Sequence, residues 1–106
     1  MSEAVRRNAR LRAEGTRNLV DAARAAAVPR LVAQSIAWAY APGPEPHKDE
    51  DPLDVDAAGD RGVSVGAVAA LEETVLGSPP LEGVVLRYGR LYGPGTGVDA
   101  APVPGP

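Results

Sequence analysis

The run Val84-Val85-Leu86-Arg87-Tyr88, followed at once by Gly89 and then by Gly93-Pro94-Gly95, limits the fold more than any other stretch of this chain. Its apolar start reads as a buried strand. Glycine and proline do not continue a strand, so it must stop in a loop. In open parallel α/β sheets, ligands bind where strands end in such loops.

The preceding residues supply the other elements of an α/β fold. Over residues 3–27, Val5, Ala9, Leu11, Ala13, Thr16, Leu19, Val20, Ala23 and Ala27 fall mostly at three- and four-residue spacings, which predicts one long helix. Arg6, Arg10, Arg17, Asp21 and Arg24 take its wet side, and Pro29 closes it. Gly15 inside the helix costs about 1 kcal/mol relative to Ala, unless it serves a close approach of helix to sheet. Leu31 to Ala37 reads as a short buried strand. Residues 41–62 form a long loop rich in Pro, Gly and acids, and such loops are often functional or mobile. Ser64 to Leu76 reads as a second helix with Ser64 as a candidate cap, and Gly77-Ser78-Pro79-Pro80 ends it. Gly83 to Tyr88 is the second strand. Strand, helix and strand in this order predict one parallel βαβ unit.

Composition bounds what this unit can do. The 106 residues fit one domain, and the net charge of −3, with both signs mixed, calls for neither nucleic acid nor an anionic membrane. No apolar run approaches the roughly 18 residues of a membrane span, and the N-terminus lacks the apolar core of a signal peptide. The absence of cysteine removes disulfides and thiolate metal sites and agrees with a reducing cytoplasm, the expected location. With no Phe, one Trp and three Tyr, the core must be built from Ala and Val. Such side chains bury little area each, so a chain of this size is expected to be marginal alone and to need a partner surface.

Three blocks resemble the extended short-chain dehydrogenase/reductase family, the NAD-dependent epimerases and dehydratases. Glu14-Gly15-Thr16-Arg17-Asn18-Leu19-Val20-Asp21-Ala22-Ala23 is similar to the family's fourth-helix signature. Arg30-Leu31-Val32-Ala33-Gln34-Ser35-Ile36-Ala37 is similar to its fifth strand, which ends in the catalytic Ser or Thr. Leu86-Arg87-Tyr88 with Tyr92-Gly93-Pro94-Gly95 looks like the loop after the sixth strand, beside nicotinamide and substrate. The blocks come in family order and span roughly residues 8–97. The resemblance implies a partial Rossmann-like domain over residues 1–92 with a Gly/Pro-rich tail over 93–106. It implies NAD or NADP as cofactor and a sugar nucleotide or small carbonyl or alcohol as substrate. It places Ser35 in the catalytic set, and Ser35, Tyr88 and Leu91 at the cofactor. The family's fourth and fifth helices pair between subunits, so residues 3–27 and 64–76 are expected to form a homo-oligomer.

The departures bear on activity. No Gly-x-x-Gly-x-x-Gly or Gly-x-Gly-x-x-Gly occurs, so the turn that holds the pyrophosphate has no counterpart. The family's Tyr and Lys, general acid/base and its partner, align with Ser64 and Val68, which cannot do that work. The Asn three residues before the helix Gly is Arg12, and the loop aromatic and Asn are Gly89 and Arg90. A lone Ser35 without a base is not an activated nucleophile. The expectation is therefore an oxidoreductase fragment that is not catalytic alone, or a non-catalytic module that docks through its helices.

Other candidates are read plainly. Arg87 is expected as a structural charge near the sheet end, and Arg90 is a candidate contact for an anionic group. Trp38 and Tyr40 either line a pocket at that edge or cover the small core. His47 reads as a solvated side chain in a polar loop. Asp54, Asp56, Gly59 and Asp60 resemble the start of a calcium loop, but Ala58 and Val65 fall where ligands are needed, so a solvated acidic loop is the better account. The arginines of the first helix run around it and are interrupted by Glu3, Glu14 and Asp21, which makes no nucleic-acid motif.

Overall fold

The structure is a computed structural model and describes residues 2–89 and 93–95. Helix α1 (Glu3–Ala25) is followed by strand β1 (Arg30–Ile36), a single 3-10 turn (Ala37–Ala39), helix α2 (Gly59–Leu76) and strand β2 (Glu82–Tyr88). The two strands pair in parallel, from Arg30 beside Glu82 to Ile36 beside Tyr88. The α/β class and the helix–strand–helix–strand order match the reading of the sequence, and they are consistent with a partial Rossmann-like fold. The expected tail, apart from residues 93–95, lies outside the described residues, as do Arg90, Leu91 and Tyr92.

The side chain of Ser2 opens α1 by accepting a hydrogen bond from the Val5 N–H at 3.3 Å. The helix stops two residues before the expected end. Ala27 takes a left-handed φ of 55°, and the N–H of Val28 reaches back to the carbonyl of Ala23 at 2.9 Å. That closure normally uses glycine, because a Cβ crowds the carbonyl there. Gly15 does not serve a close approach: a Cβ added there meets only the Leu11 side chain, at 3.9 Å.

Two further boundaries differ. Helix α2 begins at Gly59, so Ser64 is inside it rather than at its cap, and Ala58 is the cap residue without a side-chain bond. The extra turn is held by Arg61, whose guanidinium donates to Asp54 and to the carbonyls of Trp38 and Tyr40. Strand β1 was expected to be buried. Instead its exposure alternates, and Val32 is 53 % exposed. Both helices lie on the Leu31, Ala33 and Val85 side, so the opposite face, with Val32, Leu86 and Tyr88, stays open among the described residues. Parallel sheets normally have both faces covered.

The core consists of two small clusters. Val20 and Ala23 of α1 meet Val75 of α2 and Leu81, over Leu31, Ala33, Leu71 and Val85. Ala39, Val65 and Val68 form the second, with Ile36 and Leu53 against them. Helix α2 approaches β2 so closely at Gly83 that a Cβ there would overlap the carbonyl oxygen of Val75. This contact sets the distance between the carboxyl end of the helix and the amino end of the strand.

Candidate functional site

The two strands bring Ser35 and Arg87 side by side as register partners. Side chains alternate along a strand, so both point to the helix-covered face with Leu31, Ala33 and Val85. On α2, Val65, Val68, Glu72 and Val75 form one buried stripe, and Glu72 is its only charged member. The carboxylate comes down between the two strand residues. Arg87 donates to both of its oxygens, at 2.8 and 2.9 Å, and the Ser35 hydroxyl donates to one of them at 2.6 Å.

The electrostatics favour this ion pair. Burial opposes ionisation of Glu72 and is the largest single influence. The hydrogen bonds from Arg87 and Ser35, with the charge of Arg87, outweigh it and hold the carboxyl below its usual range. The same carboxylate keeps Arg87 protonated and above its ordinary value, against its own partial burial. Two-pronged pairing with a carboxylate is the geometry that suits a guanidinium best.

Arg87 also reaches the long loop. It donates to the backbone carbonyls of Asp49 and Asp51, at 3.1 and 3.0 Å, and its guanidinium lies 4.9 Å from the Tyr40 ring centre. Tyr40 in turn stacks on His47, with ring centres 4.4 Å apart. His47 contacts the Asp51 carboxylate at 3.1 Å, and the Lys48 N–H donates to that carboxylate at 2.9 Å. The backbone bond from Lys48, followed by the His47 contact, lowers the pKa of Asp51 despite some desolvation. His47 is therefore packed rather than solvated, contrary to the sequence reading, because a flat ring beside it offers more than water does.

Each residue singled out from the sequence now has a place. Ser35 is 1 % exposed, and its hydroxyl is engaged by Glu72. Tyr88 sits at the end of β2 on the open face, and Leu91 lies outside the described residues. Arg87 is the structural charge it was expected to be. Tyr40 is sandwiched between Arg87 and His47, whereas Trp38 is half exposed with Arg61 over its ring at 5.6 Å. Asp54 of the acidic run pairs with Arg61. No group of three or more His, Cys, Asp or Glu is placed to hold a metal ion among the described residues.

The described residues offer no cradle for the pyrophosphate of a dinucleotide. Such a cradle is a helix N-terminus with free N–H groups behind a Gly-rich turn. Here α1 opens with Glu3 and α2 with Asp60, and an acid in the first turn repels a phosphate. A cleft of about 380 Å³ does lie between the loop, α2 and β2, bounded by Asp49, Leu76, Val85, Leu86 and Tyr88. No helix is long and apolar enough to cross a membrane among the described residues.

No family model and no solved structure matches the chain. Over 98 residues, 90 % of this chain, it is 61 % identical to a Streptomyces protein, the 3-diazoavenalumate denitrifying reductase. Those residues make up 32 % of that reductase, so the chain spans about a third of the relative it matches. At this identity the matched third of the reductase shares the fold described above.

Proposed function

We propose that this chain is one portion of an NAD(P)-dependent reductase fold of the extended short-chain dehydrogenase/reductase kind, and that it does not catalyse unaided. The similarity to the Streptomyces reductase carries this reading. The parallel strand–helix–strand unit and the open face of its sheet agree with a portion that packs against further polypeptide. The relative's name favours a diazo-bearing substrate like 3-diazoavenalumate over a sugar nucleotide. In this reading Tyr88, exposed at the sheet end, faces the cofactor side, and Ser35 serves by holding Glu72. The pyrophosphate is held elsewhere, because neither helix N-terminus here suits it.

A chimera tests the reading. The 98 matched residues of the Streptomyces reductase are replaced by those of this chain, and dinucleotide-dependent consumption of 3-diazoavenalumate is followed. Retained turnover is expected. A chimera that folds with the parent's melting temperature but has lost turnover sinks the proposal. In a parallel measurement, NADH and NADPH are expected to leave the melting midpoint of the isolated chain unchanged. A shift at micromolar dinucleotide would place a cofactor site inside this chain.

A second reading, a helix-docked homodimer, is favoured by one observation. Leu11 and Leu19 on α1 are 71 % and 57 % exposed, and Leu76 on α2 is exposed as well. Exposed leucines on two adjacent helices gain from pairing with a second copy. Its test is a melting midpoint that rises with protein concentration; a midpoint independent of concentration rules it out.

A further inference from the structure

The loop after the 3-10 turn is closed at its feet. Tyr40 and Leu53 form an antiparallel bridge, the Ala41 N–H donates to the Pro52 carbonyl at 2.9 Å, and the Asp54 N–H donates to the Ala39 carbonyl at 2.8 Å. Arg61 binds the same feet through Asp54 and the carbonyls of Trp38 and Tyr40. The span between the feet is thus a compact loop with joined ends, a type that is frequently functional. Its far half is tied to the sheet differently. There Arg87 donates to the carbonyls of Asp49 and Asp51, and Asp49 is one wall of the cleft beside Leu76, Val85, Leu86 and Tyr88.

We infer that residues 41–52 are a hinged flap over this cleft, with feet fixed by the Tyr40–Leu53 bridge and Arg61 and a tip latched by Arg87. The latch has two sides of unequal strength. Toward Glu72, Arg87 is one half of a two-pronged ion pair against a buried carboxylate. Toward the loop, a single guanidinium nitrogen serves two neutral carbonyls, which is the weaker bond. The tip therefore leaves first, with the His47 ring coming off Tyr40, and the ion pair stays, so opening is local and does not require unfolding. Opening moves Asp49 away from Leu76 and Leu86 and widens access to the cleft. The inference rests on these contacts and is independent of the reductase reading.

The chain itself supplies the probe. Lys48, at the flap tip, is its only lysine. Endoproteinase Lys-C therefore cuts the native chain at one place, and the fragment ending at Lys48, followed by mass, reports flap opening. In Arg87→Lys the ammonium still pairs with Glu72 but has no second branch for the carbonyls of Asp49 and Asp51. That substitution adds a second Lys-C site inside β2, where cleavage requires global unfolding, so cutting at Lys48 is scored on chains still intact at position 87. Release of that fragment is expected to speed up by about tenfold or more, with the melting midpoint still well above the assay temperature. An unchanged rate overturns the inference. A second measurement needs no variant. Cleavage through flap opening is nearly insensitive to urea below the unfolding transition, because little surface is exposed. Cleavage that climbs with urea as steeply as global unfolding also overturns it.

Discussion

Glu72 on α2 and Arg87 on β2 form a two-pronged ion pair under the sheet, and the Ser35 hydroxyl caps the same carboxylate. The pair lies where the two apolar clusters meet on the buried stripe of α2, between Val68 and Val75. Helix, both strands and the long loop all converge on it. A chain with a core of Val and Ala depends more than most on such a junction.

Acid should therefore weaken this protein through Glu72. Its folded pKa lies below the ordinary 4.5, so the native state binds fewer protons than the unfolded chain in that range. The contribution is fully present above the ordinary value and is lost as pH falls through it to the folded value. Urea midpoints measured from neutral pH to about pH 3 should show this loss, and Glu72→Gln should remove that part of the slope. At neutral pH the same variant leaves Arg87 without its counter-charge and should cost about 3 kcal/mol. A variant with the parent's pH profile would remove Glu72 from the account.

Gly83 should tolerate no side chain. A Cβ there overlaps the carbonyl oxygen of Val75, a backbone atom fixed by the helix. Relief requires α2 to move away from β2, and with it Glu72 from Arg87. Gly83→Ala is expected to destabilise by about 3 kcal/mol, the upper end of overpacking effects. Because the ion pair is strained together with the core, the loss should shrink when Glu72→Gln is already present. Simple additivity of the two variants would show that the helix does not shift.

Much of this architecture is legible in the residues. The periodicity of Val5 to Ala23 locates α1, and the runs at Leu31 and Val84 locate both strands and their parallel pairing. The boundaries are less legible, because they depend on partners distant in sequence. Helix α2 gains its first turn from Arg61 reaching back to Trp38 and Tyr40, which no local pattern encodes. The even burial expected for the strands fails because the second face of the sheet has no cover among the described residues. Glu72 is instructive because its signal was present. Positions 65, 68, 72 and 75 form one stripe, and a lone carboxylate on an apolar stripe calls for a buried cation. Arg87 was the nearest candidate on the following strand. The packing of His47 on Tyr40 had no such signal, since it arises from how the loop folds back.

Helix α1 should accept two stabilising changes. Ala27 holds a left-handed conformation that costs a Cβ-bearing residue roughly 1–2 kcal/mol, part of which glycine returns through its freer unfolded state. Ala27→Gly is expected to gain about 0.5–1 kcal/mol. Gly15→Ala should gain about 1 kcal/mol, because the added methyl meets only the Leu11 side chain. Each kcal/mol raises the melting midpoint of a domain of this size by about 4–8 °C. Loss of stability at Ala27→Gly would mean that the helix ends differently in solution.

Ser35 decides between a structural and a chemical role for the sheet end. Its hydroxyl donates to an ionised carboxylate at 2.6 Å in a buried setting, a kind of bond worth about 1.5–3 kcal/mol. Ser35→Ala should lose that much stability and should also raise the pKa of Glu72, since one of the bonds that favours its charged form is gone. Acid unfolding then begins at higher pH than in the parent. Ser35→Thr keeps the hydroxyl and should keep the acid limb, even if its extra methyl costs some stability. The double variant Ser35→Ala with Glu72→Gln should be less destabilised than the sum of the two, because both remove the same bond. A hydroxyl that instead worked on a substrate would give a different pattern in the chimeric reductase. Turnover would fall steeply in Ser35→Ala while the melting midpoint and acid limb stayed at the parent's values. The geometry of the Ser35–Glu72 bond predicts the first pattern, in which stability falls and turnover follows only as far as the folded fraction does.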